Sequence, residues 1–541
     1  MKAIIKNIGI LAILPAMVIG SCTREVESNS LSTGDFPETS MALKDATDII
    51  IGAAIDYTPM INDPKYAEIV KRDNDAVTFG YQMKHAAIVQ DNGTMNFTNT
   101  DALVAAVGTL GIFGHTLGWH DNVNSNYLKT FAGITIPASA ELLLNEGFEQ
   151  GTATTFNNWS TFNAQSGSTV APTTITGEMR TGTRAMKVVA NVGEPANQWK
   201  VQVASDFINT VSGTQYRATY YVRTNSGAGS IRLSTATSGG GSAQYQGDQP
   251  ITSTYSQISW TFTANSPQTR LVIDMGAAIT TYFIDDASVK EVIPAPSGAQ
   301  IATKLDLALG NFITATVNRY KGKVRAWDVV NEPMSPSGAY RVTTNSSDIT
   351  NIATRPGFLM WSDYMGRDYP VRAFLHAKNA DPTADLYIND FGLESSAAKT
   401  DSLINFVTEL KAKGAKIDGI GTQMHVTRNT SYAGIDAMMQ KLGATGLKIR
   451  ISELDVRTVL SSSAGTATPQ FLAYQAVMYK YIVQSYLKYI PKPQQAGITV
   501  WGVNDKTSWL YNNGAELPLL YDINYNKKPA YSGFVQGLQG K

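Results

Sequence analysis

The stretch Trp327-Asp328-Val329-Val330-Asn331-Glu332-Pro333 continues an apolar-rich run from Val324 and reads as a buried strand, closed by a helix-breaking proline. A strand interior gains nothing from an amide and a carboxylic acid side by side, whereas a strand end that performs chemistry does. Far downstream, Arg450-Ile451-Ser452-Glu453-Leu454-Asp455-Val456 repeats the arrangement, a short β-prone run ending in carboxylates. Two such glutamates, distant in sequence, point to a two-carboxylate site on a parallel barrel, where catalytic groups come from the C-terminal ends of different strands.

The flanking sequence fits that frame. Upstream, strands are predicted over Asp48–Ala54, Ala76–Phe79 and Gly111–His115, with a helix over Ala102–Leu110. Downstream, a helix over Ile301–Arg319 precedes strands over Val324–Val330, Ala384–Asn389, Ile417–Gln423, Lys448–Leu454 and Gly497–Trp501. Strand and helix in alternation imply right-handed parallel βα units. Three strands before residue 133 and five after residue 294 complete a (β/α)8 TIM barrel of the α/β class. From Ile134 to Ile293 the helical periodicity stops. Short strands take over at Trp199–Ala204, Gln215–Val222, Ser230–Ser234, Gln257–Phe262, Arg270–Met275 and Thr281–Ile284, with a glycine-rich hairpin or loop at Ser238–Ser242. This is the pattern of an all-β sandwich, closed by a Pro294–Gly298 linker. The predicted domains are therefore a barrel over 41–133 and 294–541, interrupted after its third strand by a sandwich over 134–293. At 541 residues the chain is long enough for two cores.

Lys plus Arg and Asp plus Glu both number 44, so the formal net charge is zero and a polyanionic partner such as nucleic acid is not expected. Charged residues are only 16% of the chain, below the roughly 25% of an ordinary soluble protein. Ser, Thr, Asn and Gly fill the deficit, as on extracellular, sugar-facing surfaces. Lys2 and Lys6 precede an apolar run from Ile8 to Ile19, the pattern of a secretory signal. The run ends in Gly20-Ser21-Cys22, which resembles a lipobox and makes Cys22, the only cysteine, a lipidation site over a signal peptide of residues 1–22. A lipidated Cys22 leaves no thiol for a disulfide or metal cluster. The polar segment 23–40 reads as a tether. The expectation is a secreted monomer, touching the membrane only through its lipid and held at the outer membrane or cell surface.

Beside Glu332, the strand ends offer His115, His120, Gln423, His425, Glu453, Asp455 and Trp501. A metal site is the first alternative. His115 and His120 stand five apart, without an HExxH-type acid and not on one helix face, which disfavours it. A carboxylate pair needs no metal. Acetal cleavage requires one protonated carboxyl for the leaving oxygen and one ionised carboxylate behind the anomeric carbon. Desolvation and neighbouring negative charge keep the first protonated; hydrogen bonds to the anion keep the second charged. Glu453 has His425 and Asp455 as candidate partners for the ionised role.

These segments resemble glycoside hydrolase family 10, whose members are mostly endo-1,4-β-xylanases. The resemblance is carried by Gly114-His115-Thr116-Leu117-Gly118-Trp119-His120, by Trp327 to Glu332, and by Ile388-Asn389-Asp390. It continues through Asp418 to His425, Ser452-Glu453-Leu454-Asp455, Trp501 to Asp505 with Ser508-Trp509, and Pro518 to Asp522. It implies that Glu332 is the general acid/base and Glu453 the nucleophile of a retaining enzyme. Asn331 would hold the sugar 2-hydroxyl, and His425 would link Glu453 to Asp455. His115, Gln423, Trp119 and Trp501 would surround the sugar at the cleavage point, Trp509 would wall the donor side, and Lys84 would anchor the next donor sugar. No cofactor is implied for catalysis, and the partner is xylan or xylo-oligosaccharide.

The second-strand motif departs from the family. Where Thr-Pro-Glu-Asn-x-Met-Lys-Trp is usual, this chain has Thr78-Phe79-Gly80-Tyr81-Gln82-Met83-Lys84-His85, losing the Glu, the Asn and the Trp; Phe391 likewise replaces a tyrosine. The insert resembles a family 4/22 carbohydrate-binding module through Asn145 to Glu149, Trp159-Ser160 and Tyr282 to Val289. Within it, Trp199, with Asn197, Gln198 and Gln202 nearby, is the expected sugar platform, whereas Trp159, Tyr216, Tyr220 and Trp260 are expected in the core. Such modules often hold a structural calcium ion, with Glu149 and Asp285 as conceivable ligands. Two other functions stay open on the sequence: a β-1,4-glucanase or mixed-specificity glycanase, and a cell-surface glycan-binding protein with a vestigial site.

Overall fold

The computed structural model describes residues 33–136, 138–346, 357–458 and 467–541; the expected signal peptide and Cys22 lie outside them. The described chain forms two compact units, one from residues through Leu128 together with Ala302–Lys541, the other from Lys129–Ile301.

In the first unit eight parallel strands close on themselves. They are β1 (Ile51–Ile55), β2 (Ala76–Phe79), β3 (Gly111–Gly118), β4 (Val324–Asn331), β5 (Asp385–Asp390), β6 (Gly419–Thr422), β7 (Lys448–Arg457) and β8 (Gln495–Val500). Each pairs with the next, and β1 pairs with β8 through Gly52↔Thr499, so no edge is left open. Barrel strands are covered on both faces, and all five residues of β1 are accordingly buried. The third and fourth strands fit together through a size match. Trp327 on β4 is fully buried opposite Gly114 on β3, and a Cβ at Gly114 would stand 2.0 Å from the indole. Only glycine fits there.

The strands differ from the sequence reading at their ends, for local reasons. β1 begins at Ile51, whose N–H donates to the Asp75 carboxylate (3.0 Å), while Ile50 is exposed. β3 runs on to Gly118, past His115. β7 runs to Arg457 because it gains a second partner: the short strand His425–Thr427 pairs with it in the register His425↔Asp455. The helix predicted at Ala102–Leu110 is Thr98–Val107, stopped by Gly108 at φ +66°, and the one predicted at Ile301–Arg319 is Gly298–Tyr320. Other helices start where the sequence supplies an N-cap: Ser396 accepts from Lys399 N–H, Ser431 from Gly434 N–H, and Thr468, followed by Pro469, from Phe471 N–H. The end of the expected tether is not free. Phe36 is buried, Lys527 Nζ donates to Thr39 O (2.8 Å), and Tyr531 Oη donates to Met41 O (2.8 Å).

The second unit is a sandwich of two antiparallel sheets. One orders Gln249–Ile251, Gly229–Thr237, Gln268–Asp274, Val201–Ser205 and Trp159–Ala164, with Ile208–Asn209 also on Gln268–Asp274. The other orders Ser256–Thr263, Gln215–Thr224, Thr280–Glu291, Ala185–Ala190 and Thr169–Thr173. Alternate residues such as Val203, Ile231, Leu233, Ile273, Tyr220, Val222 and Ile284 fill the space between them. Trp159, Tyr216 and Tyr220 are in this core and Trp260 packs against it. Trp199 lies in a 3-10 turn, Gln198–Lys200, ahead of the strand predicted to contain it.

Candidate active site

Glu332, just after β4, and Glu453, within β7, meet in one network. Glu332 follows β4 directly and adopts φ +54°, a left-handed conformation costing a non-glycine residue roughly 1–2 kcal/mol. Its backbone is held there from both sides: its N–H donates to Asn389 O on β5 (2.7 Å), and its carbonyl accepts from Nε of the buried Arg341 (2.9 Å). The side chain is thereby placed so that Glu332 Oε1 accepts from Gln423 Nε2 (3.1 Å) and Asn331 Nδ2 (3.4 Å), while His120 Nε2 stands 3.9 Å from Oε2. Burial raises the pKa of Glu332 above the ordinary glutamate value. Arg341 opposes this, and the charges of Asp390 and Glu453 add to it.

Glu453 is more deeply buried than the half-buried Glu332 and ends up at the opposite extreme. Asn389 Nδ2 donates to its Oε1 (2.8 Å), and His425 Nε2 lies 3.2 Å from its Oε2. Burial works against the anion, but the His425 hydrogen bond and the charges of His115, His425 and Lys84 together hold its pKa below the ordinary value. His425 is in turn fixed through Nδ1 to Asp455 Oδ2 (2.8 Å), an oxygen that also accepts from Trp509 Nε1 (3.0 Å). Burial disfavours the imidazolium, yet Asp455 and Glu453 raise its pKa well above the usual histidine value. Protonated, it donates from both nitrogens. The β7 register that pairs His425 with Asp455 makes this triad possible.

One residue the sequence reading did not single out ties the halves together. Asn389 at the end of β5 donates to both Asn331 Oδ1 (2.9 Å) and Glu453 Oε1, while its own Oδ1 accepts from Ser452 Oγ (2.7 Å). Its signal was present in Ile388-Asn389-Asp390, another amide at a strand end. Arg341, which fixes the Glu332 backbone, carried no such signal because it sits in a loop.

Around this network, His115 Nδ1 lies 2.9 Å from Asp328 Oδ2, and the His115 and His425 rings meet Trp501 edge-on at 5.3 and 6.3 Å. Lys84 is buried with Nζ 4.6 Å from the Trp119 ring, and its charge reaches both glutamates. Trp509 is 64% exposed, so its face is open while its N–H is tied to Asp455. His85 faces away from the chemistry. It is buried against Phe312 and Trp361, its Nδ1 accepts from Asn124 N–H (3.0 Å), and burial pushes its pKa down to about 3. The His-for-Trp replacement is thus a neutral core residue.

In the second unit, Trp199 is 44% exposed. The outer face of its sheet carries a polar row: Asn163 Nδ2 donates to Gln202 Oε1 (2.7 Å), Gln202 Nε2 to Asp274 (2.7 Å), and Arg232 Nε and Ser234 Oγ to the same carboxylate (both 3.0 Å). The expected calcium ligands do not fit a cation. Asp285 accepts backbone N–H bonds from Arg180 (2.8 Å) and Thr181 (3.1 Å), and Glu149 accepts them from Thr183 (3.0 Å) and Arg184 (3.2 Å). Their oxygens face hydrogen-bond donors, and no cluster of three or more acidic, histidine or cysteine residues able to hold a metal occurs among the described residues.

A family model described as Glycosyl hydrolase family 10 matches residues 40–143 and 293–537. Endo-1,4-beta-xylanase A of Cellvibrio japonicus (strain Ueda107) is 38% identical over 249 residues, covering 42% of this chain and 39% of that protein. Endo-1,4-beta-xylanase C of Phanerodontia chrysosporium is 35% identical over 246 residues, covering 44% and 55%. The matches thus span well under two thirds of these relatives. Among solved structures, a thermostable mutant of xylanase Xyn10A from Cellvibrio japonicus superposes with a TM-score of 0.54 at 22% identity, over 92% of this chain and 100% of that one. This is a likeness of fold.

Proposed function

The chain belongs to glycosyl hydrolase family 10, and from that premise we propose that it is a retaining endo-1,4-β-xylanase. Glu453, held ionised, attacks the anomeric carbon of a β-1,4-linked xylose while Glu332, held protonated, gives its proton to the departing oxygen. Glu332 then takes a proton from water as that water displaces Glu453 from the glycosyl-enzyme. Asn331 and Asn389 brace the anion and the sugar hydroxyl beside it. The observation that carries this reading is the opposite tuning of two glutamates in one network. A binder with a vestigial site has no use for His425 between Glu453 and Asp455.

The test is to incubate the soluble protein with xylan, mixed-linkage glucan and cellulose, resolve the products, and follow the anomer formed by NMR. Internal cleavage of xylan with β-products supports the proposal. Preferential cleavage of glucan would transfer the activity to the glucanase reading, and retention without products would mark a binding protein. The inserted sandwich is proposed to hold xylan through Trp199 and the polar row beginning at Gln202, which combine a stacking face with fixed donors and acceptors. Lipidation at Cys22 would keep the enzyme at the cell surface; a Cys22→Ser variant released from the membrane fraction would support it.

A further inference from the structure

Away from the two glutamates, the wall that carries Lys84 is built by β1 and β2. Asp56 follows β1 directly and Gly80 follows β2 directly. The strands pair in the register Ile55↔Phe79, and Gly80 N–H donates to Ile55 O (3.0 Å), so the two residues are neighbours on the face that carries Glu332 and Glu453. A Cβ at Gly80 would stand only 3.0 Å from Asp56 Oδ1. The Asp56 carboxylate therefore borders the space of a side chain at position 80 and would have to shift slightly to admit one.

That carboxylate is open to solvent and has no committed partner among the described residues. The hydrogen bonds of Asp56 run through its backbone, from its N–H to Tyr66 Oη (3.4 Å) and to its carbonyl from Met60 N–H (3.2 Å). The charged group acting on it is Lys84, which also acts on both catalytic glutamates. A carboxylate with free lone pairs, one lysine away from the reacting centre, is an acceptor for neighbouring sugar hydroxyls. We infer that Asp56, delivered from β1, is the specificity-determining acid for the donor sugar next to the reacting one. It supplies the contact whose carboxylate is absent at Gly80, and Lys84 and Asp56 bracket that sugar. The subsite is thus rebuilt from the adjacent strand, with Gly80 leaving the carboxylate uncrowded. This rests on the xylanase reading above.

The test compares two aryl glycosides on the same preparations. The β-xyloside fills only the reacting donor position, and the β-xylobioside also fills the one beyond. For Asp56→Ala the loss of kcat/KM on the xylobioside should exceed that on the xyloside by about tenfold, the worth of one hydrogen bond to a charged group. Asp56→Asn should retain part of the difference. Gly80→Ala, which pushes the carboxylate aside, should reproduce the selective loss, and Gly80→Glu added to Asp56→Ala should restore much of it. A ratio between substrates is unaffected by the fraction of folded enzyme. Equal losses on both glycosides, or none on either, overturn the inference alone. A wild type that turns over xylobiosides no better than glucosides overturns the xylanase reading and the inference with it.

Discussion

At the end of β4, Glu332 meets neutral amides from Gln423 and Asn331 and, farther off, the negative charges of Asp390 and Glu453. At β7, Glu453 meets an amide from β5 and an imidazolium from the segment after β6, with Lys84 adding positive charge. Glu453 is buried and Glu332 half-buried, and desolvation pushes the pKa of both upward. What separates them is the next strand's contribution: acid-rich on one side, a histidine backed by Asp455 on the other. On the proposed mechanism, a barrel of repeated βα units makes an acid and a nucleophile from the same residue type by changing the neighbour.

Removing the nucleophile breaks the comparison most completely. Glu453→Gln should lower turnover of every xylan substrate by about four orders of magnitude or more, read as product release under single-turnover conditions. Glu332→Ala should cost about 10²–10⁴-fold on xylan and far less on an aryl glycoside whose leaving group needs no proton; equal loss on both would remove Glu332 from the acid's role.

The pH profile sharpens the contrast further. Activity requires Glu453 ionised and Glu332 protonated. The acid limb should therefore lie below the ordinary glutamate range and the alkaline limb above it. His425→Ala removes the hydrogen bond and charge that favour the Glu453 anion, so the acid limb should move to higher pH. Each unit it moves lowers the rate on its acid side about tenfold. An unmoved acid limb would mean that His425 only packs. The smallest effect belongs to the second unit: Trp199→Ala should weaken retention on insoluble xylan roughly two- to tenfold in affinity electrophoresis, the worth of one stacking face.

The barrel was legible because strands buried on both faces are written as apolar runs, and because residues useless inside a strand, such as Asn331-Glu332, mark its end. The link of His425 to Asp455 was expected from the family resemblance, while the strand pairing that makes it followed from no run of residues. It depends on a three-residue strand, His425–Thr427, too short to have a period. Asn389 escaped because its importance lies in facing three residues on two other strands. His85 was legible only as a replacement for the family's tryptophan; that its ring packs on Phe312 depends on a distant helix. The sandwich strands Thr169–Thr173 and Gln249–Ile251 are short and polar enough to pass for loops.

The seam between β3 and β4, where Gly114 receives Trp327, joins segments that are made at very different times. On the ribosome β1 to β3 emerge first and the whole sandwich follows before β4 exists. The sandwich's strands pair at shorter sequence separation than β3 with β4 or β1 with β8, and its sheets can close while synthesis continues. The first three barrel strands have no β4 during that interval, and β1 has no β8 until the chain is almost complete. Their apolar edges are then templates for the wrong partner. Closure of the barrel therefore waits for β8, which is made after the whole of the inserted sandwich.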